Sequence, residues 1–273
     1  MDGFKYLADP DTKEATLLYN DDKYSGDVVI PASFTADGIK FKLTALGDYC
    51  FKNCSELKSV SIPEGVKTLG FLSFRLCNTM KTVKIPSTVD SIAEECFQAC
   101  WNLAEVIIPY GVKKLSKRCF ENCDKLKSIS IPSSVTSVEE QCFGACRSLS
   151  SIALPASIKK MGYDCFSGCT SLSSITCLSP TPPTVSSSFY NFSPSTCILY
   201  VPDVDAYKAA TAWKDFPYIY KIKEGGDQPS DKQQCEKPII SFANGKLLFS
   251  DATKGAEYHY TLTCADVKTN EAI

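Results

Sequence analysis

Apolar and polar positions along this chain follow a pattern that repeats at a fixed interval of 23 residues. Seven phenylalanines keep this interval, and a cysteine follows each of the first six by three positions. Columns of leucine, valine and isoleucine share the same interval, which indicates a solenoid built from repeated units. The two marker columns are Phe51, Phe74, Phe97, Phe120, Phe143, Phe166 and Phe189, and Cys54, Cys77, Cys100, Cys123, Cys146 and Cys169.

Each unit begins with a segment that is typical of a strand. Leu126 to Ile131 ends in alternating apolar and polar residues, the two-residue period of a strand with one buried face. Pro132 follows directly, and because proline cannot donate to a sheet ladder, the strand is predicted to end there. The next apolar residues recur at spacings near three or four, which predicts a tight turn and then a short helix. They are Val135, Val138, Cys142, Phe143 and Cys146.

Stacking of the units follows from their size. A unit of 23 residues cannot bury its own apolar face, so neighbouring units are expected to share one continuous core. The predicted fold class is an α/β solenoid, a right-handed rod of about six strand–turn–short-helix units whose parallel strands line a concave face. A β cap before the repeats and a β/α cap after them are expected, because terminal units otherwise expose the edge of the core.

The motif CFxxC, followed by the phased leucine, valine, isoleucine–proline, valine and leucine columns, resembles the BspA-like leucine-rich repeat family, also called the Treponema pallidum type. Members commonly have alanine before the phenylalanine where this chain has cysteine. The resemblance covers roughly Ile39 to Leu199. It implies a non-enzymatic cell-surface or secreted protein that binds a protein or a glycan through the solenoid surface. The alternative is a structural or accessory module of a larger surface enzyme.

Five segments are predicted along the chain. Three short strand patterns with intervening turns precede the repeats, and the polar run GGDQPSDKQQ has the composition of a linker. Beyond it, alternating residues surround a turn at Asn244–Gly245, the strongest short hairpin signal, and resemble the opening of an immunoglobulin-like module. The predicted segments are a β cap (1–38), the repeats (39–199), a carboxy-terminal cap (200–224), a linker (225–234) and a partial immunoglobulin-like β segment (235–273).

Composition narrows the classes of partner. The net charge of −2 gives no electrostatic case for binding nucleic acid, which needs clustered lysine and arginine. No apolar run has the length of a transmembrane segment, and the amino terminus lacks the apolar core of an export signal. The protein is therefore either cytoplasmic or, as the resemblance implies, secreted or on the cell surface after removal of a signal.

The fifteen cysteines admit three interpretations. Eleven of them occupy the CFxxC columns, where Ser73 replaces one cysteine without breaking the phase, and this favours small buried residues with free thiols. Disulfides are a second interpretation, since cysteine-rich secreted chains are commonly cross-linked. Metal binding is the third, but zinc usually takes closely spaced CxxC pairs or histidine, and the chain contains only His259.

Catalytic chemistry has no candidate in this sequence. His259 lies in the predicted hairpin between two tyrosines and is interpreted as a surface strand residue. No glycine-rich phosphate loop, cofactor-binding motif or Ser/His/Asp arrangement is present, and no metal ligands are predicted. The sequence therefore predicts a protein that is not an enzyme and has no cofactor.

One unit differs from the others at positions outside the phased columns. It carries Trp101, Ile107 and Tyr110 where the other units mostly have small or polar residues. Together with the charged residues Lys84 and Glu105, these three form the Trp101 patch, which is predicted to bind a protein or glycan near the strand-lined face. The alternative is that these residues pack under a cap or against the terminal segment.

Overall fold

The structure is a computed structural model that describes residues 3–186 and 196–222, together with the backbone of two strands at residues 239–243 and 246–250. It forms two compact units, Met1–Lys232 and Gln233–Ile273. Several sequence predictions fall outside the described residues: Phe189, the linker at 225–234, the turn at Asn244–Gly245, and His259.

The described residues contain twenty strands and one α-helix. The strands, in chain order, are β1 (Tyr6–Asp9), β2 (Glu14–Leu17), β3 (Gly26–Val29), β4 (Ser33–Ala36), β5 (Ile39–Leu46), β6 (Leu57–Ser61), β7 (Thr68–Leu69), β8 (Ser91–Ile92), β9 (Glu105–Ile107), β10 (Lys114–Leu115), β11 (Ser128–Ser130), β12 (Ser137–Val138), β13 (Ser151–Leu154), β14 (Lys160–Met161), β15 (Ser174–Cys177), β16 (Thr184–Val185), β17 (Ile198–Val201), β18 (Tyr218–Lys221), β19 (Ile239–Ala243) and β20 (Lys246–Ser250). The helix is α1 (Val204–Ala209).

The predicted strand of each unit lies in a first parallel ladder. β3 pairs with β6, β9 with β11, and β13, β15, β17 and β18 pair in that order, all parallel. Isolated bridges join Ser61 to Lys84 and Thr82 to Glu105, which links the units between β6 and β9. Equivalent residues therefore lie beside one another in successive units, as the 23-residue period predicts.

A second parallel ladder uses two-residue strands from the other side of each unit. β5 pairs with β7 and β7 with β8, and β10, β12, β14 and β16 continue the same arrangement. These strands carry the column of Leu69, Ile92, Leu115, Val138 and Met161, whose side chains are buried. The compact unit Met1–Lys232 is thus a β-solenoid in which the repeats build two parallel ladders, and the repeat containing Thr82 and Lys84 joins the first ladder through isolated bridges.

The amino-terminal region extends the second ladder. β1, β2 and β3 correspond to the three strands predicted there, and β2 pairs with β5. The sequence patterns did not predict the antiparallel hairpin of β4 and β5, which turns at Gly38 with a positive φ of 76°. Leu43 and Leu46 of β5 are buried, so this strand joins the core of the first repeat.

Stacked phenylalanines form the centre of the core. Six of the phased phenylalanines, from Phe51 to Phe166, are less than 2% exposed. Each ring stacks on the next, with centroid separations rising from 5.1 to 5.9 Å along the chain and interplanar angles between 2° and 9°. Parallel rings at this separation are displaced from a direct sandwich, which is the favourable geometry for aromatic pairs.

The prediction of a short helix in each repeat is wrong, because the residues around the six described phased phenylalanines, Phe51 to Phe166, form turns. The residues two positions before and two positions after every such phenylalanine have positive φ; for Phe120 they are Arg118, at 51°, and Asn122, at 60°. A right-handed helix cannot contain such residues. The spacing of three between cysteines and phenylalanine fits a sequence of turns as well as it fits a helix.

Backbone groups in these turns bond to the next unit instead of to their own. The amide of Phe120 donates to the carbonyl of Cys142 at 2.9 Å, and the amide of Asn122 donates to that of Gly144 at 2.7 Å. The amide of Arg118 donates to the carbonyl of Glu140 at 2.9 Å. Corresponding bonds run through the preceding units, so the turns form a third lateral connection between repeats.

The carboxy-terminal part of the compact unit Met1–Lys232 packs against the core of the repeats. Asp203 caps α1 by accepting from the amide of Ala206 at 3.0 Å, and Tyr207, Trp213 and Phe216 are buried. The Trp213 indole donates to the carbonyl of Pro183 at 2.9 Å.

The second compact unit, Gln233–Ile273, contains β19 and β20. These strands form an antiparallel pair, in agreement with the alternation seen in the sequence. The immunoglobulin-like assignment stays a prediction.

Truncation of one stacked ring tests the core. Phe120→Ala is expected to lower the free energy of unfolding by about 3 to 5 kcal/mol, because it removes a fully buried ring between two others. Urea denaturation measures this loss. Phe71→Ala is the control, since Phe71 is only partly buried, and its loss should be clearly smaller. Equal losses in the two variants would contradict the central position of the stack.

Substitution by glycine tests the left-handed turns. Ala145 has a φ of 56°, where an L-residue is strained by about 1 kcal/mol, so Ala145→Gly is expected to leave stability unchanged or raise it by a few tenths of a kcal/mol. Ala153, in β13, has no positive φ, and Ala153→Gly should destabilise by about 0.5 to 1 kcal/mol. Comparable destabilisation by both substitutions, measured by urea unfolding, would contradict the turn conformation.

Candidate binding face

The outward side of the first ladder carries the residues that vary between units. In β9 and the residue after it, Val106 and Ile108 are buried, whereas Glu105 and Ile107 are exposed. This alternation follows from strand geometry, which sends successive side chains to opposite faces. Packing in the core therefore restricts every second residue to an apolar side chain. The exposed residues between them can differ from unit to unit and form the outer surface of the ladder.

Members of the Trp101 patch lie on one unit and its upstream neighbour. The bridge between Thr82 and Glu105 sets the register that places Lys84 beside Ile107, and both side chains are exposed. Trp101 lies in the turn before β9, and its carbonyl accepts from the amide of Lys125 at 3.1 Å. Tyr110 lies in the turn after Pro109.

Exposure of the three apolar members is similar. Trp101 and Ile107 are 48% exposed, and Tyr110 is 49% exposed. The Nζ atom of Lys113 lies 5.8 Å from the centroid of the Tyr110 ring, a weak cation–π contact. Half-exposed side chains of this size can bury additional apolar area against a ligand.

A second aromatic group lies on the same ladder and was missed in the sequence. Tyr200 of β17 pairs with Tyr220 of β18, with ring centroids 6.2 Å apart, and Tyr218 and Tyr220 are 49% and 51% exposed. These strands lie outside the strict period, since Ser174 pairs with Ile198 and Ile198 with Tyr218. The strand alternation at residues 218–222 was a signal, but it did not show where the strand pairs.

The cysteines of the repeats form a ladder of buried thiols. All thirteen cysteines in the described residues are buried and free. From Cys77 to Cys169, the cysteine three positions after each phased phenylalanine donates its thiol hydrogen to the carbonyl of the phenylalanine in the preceding unit, as in Cys146 to Phe120 at 3.2 Å and Cys169 to Phe143 at 3.0 Å. At the position three residues after the phenylalanine, cysteine therefore supplies a small buried side chain that also donates a weak hydrogen bond.

Burial changes the acidity of these thiols. Removal from water disfavours the thiolate, and this raises the pKa of Cys119 and Cys142 well above the usual value. The same cause raises the pKa of Cys165 and of Cys169 to about 12. Such thiols are neutral at physiological pH and are poor nucleophiles. Among the described residues, no group of histidine, cysteine, aspartate or glutamate side chains has the arrangement of a metal site.

The family assignment rests on the repeats just described. The sequence pattern of the BspA type leucine-rich repeat region matches residues 33–149 and 91–204, with six copies of the repeat. The chain belongs to the BspA-type leucine-rich repeat family. This membership agrees with the two ladders and the stacked phenylalanine column, and it confirms the resemblance seen in the sequence.

Solved structures that are similar to this BspA-type protein include two bacterial leucine-rich repeat proteins. A leucine rich cell surface protein from Faecalibacterium prausnitzii is 28% identical with a TM-score of 0.55, over 67% of this chain and 55% of its own. The Treponema pallidum leucine-rich repeat protein is 22% identical with a TM-score of 0.58, over 80% of this chain and 95% of its own. The chain thus spans just over half of the Faecalibacterium protein. Among curated proteins, no sequence matches the chain.

The described part of this BspA-type chain contains no helix with the length and apolar character needed to cross a membrane.

Alkaline pH is expected to destabilise this BspA-type protein steeply. Twelve of the described thiols have a pKa that folding raises, so the contribution of each is complete below the unfolded pKa of about 8.5 and is lost as the pH rises toward the folded value. The loss is at most about 1.4 kcal/mol per pH unit for each thiol, and these twelve thiols act together. Urea denaturation between pH 7 and pH 10 should show the midpoint falling sharply above about pH 8.

A single substitution separates thiol ionisation from general alkaline effects. Cys119→Ala removes one buried thiol and leaves a small apolar side chain at the same position. The slope of unfolding free energy against pH should become shallower by about 1.4 kcal/mol per pH unit, once the pH is above the unfolded thiol pKa. An unchanged slope would contradict the assignment of Cys119 as a buried neutral thiol.

Proposed function

We propose that the chain is a non-enzymatic binding module, secreted or displayed on a bacterial cell surface, that engages a protein or glycan partner through the outward face of the first ladder. Membership of the BspA-type family supports an interaction module. The Faecalibacterium relative is described as a cell surface protein, which supports the location. The exposure of Trp101, Ile107 and Tyr110 on one unit is the observation that carries the proposal.

Physical reasons favour the Trp101 patch as the centre of contact. Tryptophan and tyrosine supply large contact areas at a low cost in side-chain entropy, and they dominate the binding energy of many interfaces. The patch is held by the rigid ladder through the bridge between Thr82 and Glu105, so little ordering is needed on binding. Lys84 and Glu105 carry opposite charges beside the apolar residues, which would orient a partner.

A module of a larger surface enzyme is the alternative role, and it predicts the same binding face. The two roles differ in whether a catalytic domain accompanies the repeats. Sequencing of the complete gene and an activity assay of its full product distinguish them.

Replacement of the exposed tryptophan tests the proposed function. The purified chain is screened by biolayer interferometry against immobilised extracellular-matrix proteins and mucin glycans, and the bound ligands are then titrated. Trp101→Ala should weaken binding by about tenfold or more, because it removes a central aromatic contact. The melting temperature should stay nearly unchanged, since the side chain is half exposed.

A matched control uses an exposed apolar residue elsewhere. Leu7 of β1 is 65% exposed, and Leu7→Ala should leave both binding and melting temperature unchanged. A large fall in melting temperature for Trp101→Ala, with undiminished ligand binding, would instead assign Trp101 to internal packing. Absence of binding across the whole panel would count against the function itself.

A further inference from the structure

Between the two aromatic groups, the first ladder presents a surface of small side chains. The outward positions of β11, β13 and β15 lie in register, since Ser151 pairs with Ser174 and Ala153 with Thr176, and β11 lies against β13. We name this surface the hydroxyl floor. It consists of Ser128, Ser130, Ser151, Ala153, Ser174 and Thr176.

The hydroxyl groups of this floor are not used by the fold. Within the part of the chain that the structure describes, none of its five hydroxyls makes a hydrogen bond, although all are at least partly exposed. Hydroxyls elsewhere in the repeats behave differently. Ser134 donates to the carbonyl of Val112 at 2.8 Å, and Ser116 donates to that of Ile92 at 2.6 Å. The floor hydroxyls are thus available to a ligand.

Apolar and aromatic side chains stand at both ends of the floor. Ile107 pairs with Ser130 at one end, where the exposed Glu105 pairs with Ser128, and Tyr200 pairs with Thr176 at the other end. Four strand spacings separate Ile107 from Tyr200, which is about 19 Å at about 4.8 Å for each spacing. Tyr218 and Tyr220 extend the second end by one more strand. None of the six floor positions carries a charge.

We propose that the hydroxyl floor, with Ile107 at one end and Tyr200 and Tyr220 at the other, binds a neutral, linear oligosaccharide lying across the strands. The proposal rests on the proposed function and specifies its ligand. Sugar hydroxyls would exchange hydrogen bonds with Ser128, Ser151 and Thr176, and the apolar faces of sugar rings would pack against Tyr220 and Ile107. An uncharged floor suits an uncharged chain, because a charged ligand would lose hydration there without a counter-ion.

The same features disfavour a peptide on this floor. The amides of β13 and β15 are already paired within the ladder, so an extended peptide cannot add to the sheet at this face. Serine and alanine side chains form no pockets for peptide anchors and offer little apolar area. A protein partner is therefore expected to contact the Trp101 patch and not the floor.

Isothermal titration calorimetry of the full chain against neutral gluco-, manno- and galacto-oligosaccharides tests the proposal. Thr176→Val removes one hydroxyl while keeping the shape of the side chain, and with Ser151→Ala it should weaken binding at least tenfold. Tyr220→Ala should have a similar effect, whereas Tyr220→Phe keeps the ring and should retain most of the affinity. The control is Thr68→Val in β7 of the second ladder, where binding should be unchanged.

Each other outcome has a distinct meaning. Binding of a neutral oligosaccharide that is insensitive to the floor and Tyr220 variants overturns the proposal, as does a preference for sulfated or carboxylated oligosaccharides. Failure of all neutral oligosaccharides, with protein binding that still depends on Trp101, overturns the glycan assignment and leaves the proposed function intact. Failure of both ligand classes overturns both. Melting temperatures verify that every variant is folded.

Discussion

The contact of each buried phenylalanine with its equivalent in the next unit is the interaction on which the rest of this protein depends. The rings stack at 5.1 to 5.9 Å, and this separation is close to the spacing of strands in the two ladders. Because the aromatic stack and both ladders advance by one step per unit, they support one another. A unit that lost its register would lose the stack, both strand pairings and the turn bonds together, which makes neighbouring units strongly coupled.

Sequence reasoning predicted the parts of the fold that the period controls directly. The first-ladder strands, the buried columns and the stacked phenylalanines follow from repetition, because equivalent residues in a solenoid must lie beside one another. The turns around Phe120 could not be predicted in this way. Arg118 and Asn122 adopt positive φ although neither residue requires it, and lateral hydrogen bonds that are absent from an isolated unit hold them there.

The residues of the candidate binding face that lie within the strict period could be predicted, and those outside it could not. Trp101, Ile107 and Tyr110 were found because they depart from columns of small residues, whereas Tyr200, Tyr218 and Tyr220 lie where the period changes. Only the strand pairing shows that β17 and β18 continue the ladder. The thiol bonds were also invisible, since a cysteine that donates to a carbonyl looks the same in sequence as one that only fills space.

The lateral bonds of the turns all have one direction: amides near each phenylalanine donate toward the following unit, and carbonyls accept from the preceding one. The peptide dipoles in this row therefore add along the axis of the stack, as they do in a helix. The two sides of each unit are therefore chemically unlike, because carbonyl oxygens accept on one side and amide hydrogens are donated on the other. A repeat unit can therefore join its neighbour in only one direction, so the order in which units are joined is set by polarity as well as by shape.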